Sequence, residues 1–169
     1  MLKIVKSFTE LNISELMEVY FEDNCENGRI FFPDCNADEQ LRRAEDGFES
    51  YLREDFFRQR DAFYALWIAD ERYQAALRIE PYADGVLLEA LSTAPESRRK
   101  GHAGNLVRLV LEYLQSSSYK IVYSHIHKKN IASLHLHKKC GFELFSDSAK
   151  YIDGTVTQSS CTMCYELKK

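Results

Sequence analysis

Between Ala62 and Thr93 the sequence sets three strand-like runs in a row with no helical segment between them, and after Thr93 it alternates helical and extended patterns. The aromatic-rich run Ala62–Ala69, the turn residues Asp70-Glu71 and the run Arg72–Ile79 predict a hairpin. Ala83-Asp84-Gly85 then turns the chain into a third run, Val86–Thr93. Downstream, Leu106, Val107, Val110 and Leu114 recur at helical spacing, Tyr119–Ile126 is extended, and Asn130–Cys140 is helical again. Two further runs, roughly Phe142–Ile152 and Ser160–Leu167, complete the pattern. Hairpin-linked strands pair antiparallel, whereas a strand regained through a helix lies parallel. The order therefore predicts an α/β fold with a mixed, mostly antiparallel central sheet and helices on both faces. Upstream, Leu2–Val5 reads as a strand and Thr9–Asn24 as a helix capped by Thr9. Ala37–Arg60 reads as a second helix with Leu41, Ala44, Phe48, Tyr51 and Leu52 on one stripe.

A chain of 169 residues without repeats, low-complexity tracts or a Pro/Gly-rich linker is expected to form one domain over 1–169. No run reaches the apolar length of a membrane helix, and Met1–Lys6 carries no signal-peptide core. Five cysteines at irregular spacing do not suggest a disulfide framework. A cytoplasmic protein without a membrane partner, monomeric or homodimeric, is the expectation. Charge is uneven: nine of the 22 cations but only one acid, Glu112, lie between Arg98 and Lys139. Acids crowd the first helices, among them Glu15, Glu18, Glu22, Asp23 and Glu26. Solvated helix faces explain much of this, but a basic half is also suited to a polyanion and an acidic half to a cation.

The basic half contains Thr93-Ala94-Pro95-Glu96-Ser97-Arg98-Arg99-Lys100-Gly101-His102-Ala103-Gly104, set between a predicted strand and a predicted helix. Glycines there let backbone N–H groups approach an anion, and a helix N-terminus adds its positive dipole end. The stretch lacks the Lys-Ser/Thr of a nucleotide P-loop, and its glycine spacing does not suit a dinucleotide fold. Further on comes Asn130-Ile131-Ala132-Ser133-Leu134-His135-Leu136-His137-Lys138-Lys139-Cys140-Gly141-Phe142.

These two stretches resemble the hallmarks of the GNAT acetyltransferase superfamily. Arg98-x-x-Gly101-x-Ala103 is similar to its Q/R-x-x-G-x-G/A signature, and Asn130 to Phe142 resembles its N-x-x-S/A…Y-x-K-x-G-F helix. The likeness is strong over about 86–145. It implies acetyl-CoA as co-substrate, its pyrophosphate held by amides of Arg99, Lys100, Gly101, His102, Ala103 and Gly104 beside Arg98. It also implies a pantetheine arm paired with Leu91, Ser92 and Thr93 like an added strand. The fourth strand, Val86–Thr93, would splay from the fifth, Tyr119–Ile126, to make the cleft. Asn130, Ser133 and His137, on one helix face, would flank the cofactor. His137 stands where most members carry the tyrosine that protonates the departing thiolate.

Transfer to a primary amine needs a deprotonated nucleophile, a stabilised carbonyl oxygen and a protonated leaving group. Glu89 is the first candidate base, because a carboxylate between Leu88 and Ala90 in mid-sheet must be paired or used. His125 is the second; it shares a strand face with His127, and either can equally be an ordinary satisfied histidine. His135 points away from His137. Cys161-x-x-Cys164 projects to opposite strand faces and has no second pair, so no metal is expected. The acceptor is expected to be an amine, and the acidic first helices suit a cationic one; no nucleic acid is expected, since the cations belong to the loop and the whole chain is acidic. The competing reading is a coenzyme A-binding or sensing module that has lost turnover.

Overall fold

A computed structural model describes residues 1–168. The chain runs β1 (Leu2–Val5), α1 (Ile13–Val19), α2 (Phe21–Phe31), α3 (Ala37–Glu54), β2 (Phe63–Ala69), β3 (Arg72–Tyr82), β4 (Gly85–Thr93), α4 (His102–Leu114), β5 (Ile121–His127), α5 (Ile131–Lys139), β6 (Glu143–Ser146), β7 (Ala149–Lys150), β8 (Val156–Thr157) and β9 (Ser160–Glu166). Seven strands form one sheet in the order β1-β2-β3-β4-β5-β9-β6, and β7 pairs with β8 as a separate hairpin. All ladders are antiparallel except β4 with β5, which is the predicted mixed sheet.

That parallel pair is short. Only Val86 with Val122 and Leu87 with Tyr123 are in register, and beyond Leu87 the strands part. Gly85 holds them together at the near end: a Cβ there would collide with the carbonyl oxygen of Ile121. The splay expected between the fourth and fifth strands is therefore present, pinned at one end and open at the other.

Each face of the sheet carries its own apolar layer. Leu77, Ile79, Val86 and Leu88 pack beneath Leu106, Val107 and Val110 of α4. On the other face Tyr64, Leu66 and Ala76 meet Leu16, Val19, Tyr20, Leu52 and Phe56. Alternate strand residues supply the two layers, as the period of two requires.

The helical N-terminal region differs in detail from its expected boundaries. Asn12, not Thr9, caps α1: its side chain accepts from the Glu15 amide at 3.3 Å and donates to the Glu15 carboxylate at 2.6 Å. Thr9 instead pairs with the Ser7 hydroxyl within a 3₁₀ turn. The single helix expected to Asn24 is two helices meeting at Tyr20, whose hydroxyl donates to the Ala90 carbonyl at 2.6 Å. α3 ends at Glu54, and a 3₁₀ turn, Phe56–Arg58, tucks Phe56 into the core. The expected strand Phe142–Ile152 breaks between β6 and β7 at Asp147-Ser148, where Ser146 and Ser148 hydroxyls close a tight turn. Among the described residues no helix is long and apolar enough to cross a membrane.

Candidate active site

β4 runs directly into the basic loop. Pro95–Ser97 make a 3₁₀ turn, Arg99 and Gly101 take left-handed backbone conformations (φ 61° and 84°), and α4 starts at His102. No side chain caps α4, so the N–H groups of its first turn have no side-chain acceptor. An open, left-handed turn feeding an uncapped helix is a backbone cradle for an anion. Gln74 of β3 fixes the loop from below, its carbonyl accepting from the Ala94 amide at 3.0 Å and its side chain accepting from the buried Ser97 hydroxyl. Arg98 pairs with Glu22 of α2 at 2.7 Å, while Arg99 and Lys100 are exposed. A groove of about 620 Å³ continues from Gly101 and Gly104 between α4 and α5, past Arg108, His135 and Lys139.

Upstream in β4 the ladder to β3 is irregular. Arg78 faces Glu89 and Ala76 faces Ser92, so Ala90 and Leu91 together oppose Leu77. Ala90 takes φ 50° to accommodate this bulge. Glu89 and Ala90 consequently both turn toward the α1–α3 layer, whereas Leu88 and Leu91 pack on the α4 side. The Glu89 carboxylate accepts from the Arg78 guanidinium at 2.5 Å, so it is paired. Arg78 lies over the rings of Tyr51 and Phe56, 5.0 and 5.6 Å from their centroids. Burial works against its charge, but Tyr64, Glu89 and Tyr51 outweigh burial and hold its pKa above the usual arginine value.

A second carboxyl, unforeseen in the sequence, joins this cluster. Glu80 of β3 is only 3% exposed, lies diagonally across the ladder from Glu89, and feels both Glu89 and Gln59. The alternation Arg78-x-Glu80-x-Tyr82, interleaved with the core residues Leu77 and Ile79, was the available signal. The same layer opens into a pocket of about 640 Å³ lined by Tyr20, Asp23, Glu26, Phe48, Tyr51 and Arg78, with Ala90 beside them.

The histidines divide by environment. His125 on β5 faces the Lys150 carbonyl through Nε2 at 3.0 Å and Thr162 Oγ1 through Nδ1 at 3.1 Å, between the rings of Tyr82 and Tyr151. Burial draws its pKa below the usual histidine value, opposed by the Lys150 carbonyl and the charge of Glu89. His125 and Glu89 thus sense each other across the splay, but both imidazole nitrogens are engaged within the chain. His127 is exposed and accepts from the Lys129 amide at 3.1 Å.

His137 is buried, 1% exposed, with its ring edge-on to Phe142 at 5.0 Å. Its Nδ1 donates to the Ser133 carbonyl at 2.8 Å, and Nε2 has no partner among the described residues. Burial pulls its pKa below the usual histidine value, partly offset by that carbonyl. Asn130 caps α5, its Oδ1 accepting from the Ser133 amide at 3.0 Å. Leu91, Ser92 and Thr93 form the partly exposed end of β4, and the Ser92 hydroxyl donates to Asp23 at 2.9 Å. The described residues gather no group of three or more His, Cys, Asp or Glu arranged for a metal.

The sequence profile of the Acetyltransferase (GNAT) family matches residues 15–142. A curated relative, GCN5-related N-acetyltransferase 6, chloroplastic, of Arabidopsis thaliana, is 37% identical over 54 residues, which are 32% of this chain and 19% of that protein. The match thus spans about a fifth of that relative's length. Among solved structures, the fold is similar to a PaiA N-acetyltransferase of Thermoplasma acidophilum in complex with coenzyme A (TM-score 0.66, 15% identity, 98% and 99% of the two chains covered). It is also similar to the ribosomal-protein-S18-alanine N-acetyltransferase of Escherichia coli (0.63, 14%, 100% and 96%). A third is spermidine N-acetyltransferase of Vibrio cholerae in complex with coenzyme A and spermine (0.63, 15%, 98% and 95%). With the profile covering most of the chain and the splayed, loop-bearing β4 in place, the protein belongs to the GNAT acetyltransferase family.

Proposed function

We propose that the protein transfers an acetyl group from acetyl-CoA to a primary amine by direct attack, with no covalent enzyme intermediate. The observation that carries this reading is the opening of β4 away from β5 after Leu87, between the uncapped N-terminus of α4 and the acidic pocket on the opposite face. One end suits a diphosphate, the other suits a base and an amine, and the strand joining them offers Leu91, Ser92 and Thr93 to a pantetheine arm. The loop amides from Arg99 to Gly104 hold the pyrophosphate, and Arg98 braces the loop through Glu22. Asn130, whose Oδ1 serves the cap, donates from its amide nitrogen to the cofactor. The bulge leaves backbone groups outside the β3 ladder beside the thioester, where charge develops on the carbonyl oxygen.

Glu89 is the base in this reading, ahead of His125, whose ring nitrogens are already engaged. His137 serves the leaving thiolate. Its neutral ring keeps the proton on Nδ1 for Ser133 and presents a lone pair at Nε2, so it must first gain a proton before passing one to sulfur. Because burial lowers its pKa, the charged form is lost as pH rises to neutrality. A role as resting acid therefore adds a limb on which activity falls as pH rises toward neutrality, and a relay lacks that limb. His137→Phe keeps the packing on Phe142 and is expected to lower kcat roughly ten- to a hundredfold, since a thiol of pKa about 8.5 is already a fair leaving group. Equal rates for Phe and wild type across pH would reduce His137 to a packing residue.

The coenzyme A-bound neighbours support the cofactor assignment, and the spermine-bound one supports a cationic acceptor. Asp23 and Glu26 line the pocket here, while its Arg43 and Arg78 are paired to Glu39 and Glu89. A thiol-release assay with acetyl-CoA across amino acids, polyamines, aminoglycosides and peptides tests the reading. Polyamines or aminoglycosides are expected to turn over, and turnover of neutral or anionic acceptors alone would remove the cationic assignment. Binding of acetyl-CoA without thiol release from any amine would identify a sensing module instead.

A further inference from the structure

Two carboxyls and one guanidinium occupy the sheet face beneath α3. Arg78 and Glu89 are direct cross-strand partners, and Glu80 pairs with Leu87, two residues from Glu89 on the same face. Side chains at such diagonal positions are within reach of each other. Arg78 balances one negative charge; the other has no cation of its own in a site where Glu80 is 3% exposed. Two like charges sharing a largely buried site cannot both remain ionised cheaply. The neighbouring groups do not relieve this: Tyr20, Tyr51 and Tyr64 present neutral phenols, Gln59 is uncharged, and His125 stands across the splay with a lowered pKa.

We propose that Glu80 and Glu89 act as one base that holds a single proton between them, Glu80 being the positioning residue that works through Glu89. The inference rests on the acetyltransferase reading and deepens it. Burial, and then the hydrogen bond and charge of Glu89, push Glu80 up to about 7. Glu80, held beside Glu89, therefore takes up or releases a proton near working pH, which a solitary exposed carboxylate does not. In the step itself the doubly ionised pair removes one proton from the acceptor ammonium. Nitrogen attacks the thioester carbon, the C–S bond breaks, and the second nitrogen proton ends on the coenzyme A thiol. The singly protonated pair then returns its proton to solvent, so atoms and charges balance without another reactant.

Two measurements on the intact protein test this. Difference infrared spectroscopy across pH 5 to 9 is expected to show a protonated carboxyl stretch in wild type that bleaches near neutral pH and is absent in both Glu80→Gln and Glu89→Gln. No such band in wild type would overturn the proposal, whether or not the protein turns over acetyl-CoA. In the kinetic profile, Glu80→Gln removes the titrating partner while keeping the side-chain shape. The ratio of kcat/KM at pH 8 to that at pH 6 is expected to fall about tenfold relative to wild type, the change produced by losing one ionisation centred at 7. A profile whose rising limb keeps its position in Glu80→Gln would also overturn the proposal. A wild type that fails to release thiol defeats the acetyltransferase reading instead, and the infrared titration separates the two failures.

Discussion

Gly101→Val is expected to weaken acetyl-CoA binding at least about a hundredfold, the loss of roughly two charge-assisted hydrogen bonds from loop amides to the pyrophosphate. Two effects add at this position. Gly101 sits at φ 84°, where a β-branched residue pays at least about 1–2 kcal/mol of backbone strain. It also precedes the uncapped first turn of α4, so a shift in its backbone moves the amides of His102, Ala103 and Gly104 together. The chain itself leaves the space open, because a Cβ on Gly101 meets no other atom within 4 Å. The Cβ of the new side chain therefore clashes with nothing in the protein, which leaves its steric effect chiefly to the ligand. Thermal unfolding without cofactor measures the strain, Gly101→Ala supplies the same φ cost without branching, and calorimetry with coenzyme A measures the remainder. Unchanged affinity in Gly101→Val would remove the loop from the cofactor site, and with it the basis of the functional reading.

The loop was legible because its chemistry is local. Glycine at a left-handed position, cations beside it and a helix immediately after are properties of adjacent residues. The meander and the β-α-β-α alternation were equally legible, since periodicity and turn residues are short-range signals. What stayed hidden depends on contacts across the sheet. Nothing near Tyr20 announces that its hydroxyl binds the Ala90 carbonyl, yet that contact anchors the junction of α1 and α2 beside the bulge. Glu89 stands out in the sequence as a carboxylate in an apolar run, but Arg78, which satisfies it, and Glu80, which crowds it, lie on the neighbouring strand in a register set partly by the bulge. His137 was legible in position and not in state: neither its burial nor its bond to the Ser133 carbonyl follows from the helical repeat alone.

Glu89→Gln is expected to lower kcat/KM by roughly 10²–10⁴, the range for removing a general base, while leaving acetyl-CoA affinity within about twofold. The two readouts separate because the side chain faces the α1–α3 layer, away from the loop after Thr93. The fold should tolerate the change. Glutamine keeps the side-chain shape and an oxygen for Arg78, and Glu80, no longer beside a second carboxylate, becomes free to ionise against the same guanidinium. The loss should be largest at low pH. An acceptor amine of pKa about 10 is almost wholly protonated at pH 6, so each turnover there depends on a group that removes the proton. As pH climbs the free amine becomes common and the base is needed less, so mutant and wild type should converge. A deficit of the same size at every pH would mean that Glu89 serves Arg78 and the pocket wall and removes no proton. Comparison with Glu80→Gln then isolates the chemistry, because both variants break the carboxyl pair while only Glu89→Gln removes the carboxylate proposed as the base. If Glu80→Gln also loses two or more orders of magnitude at pH 8, where the pair is ionised, the cluster is structural and the base lies elsewhere on the splayed strands.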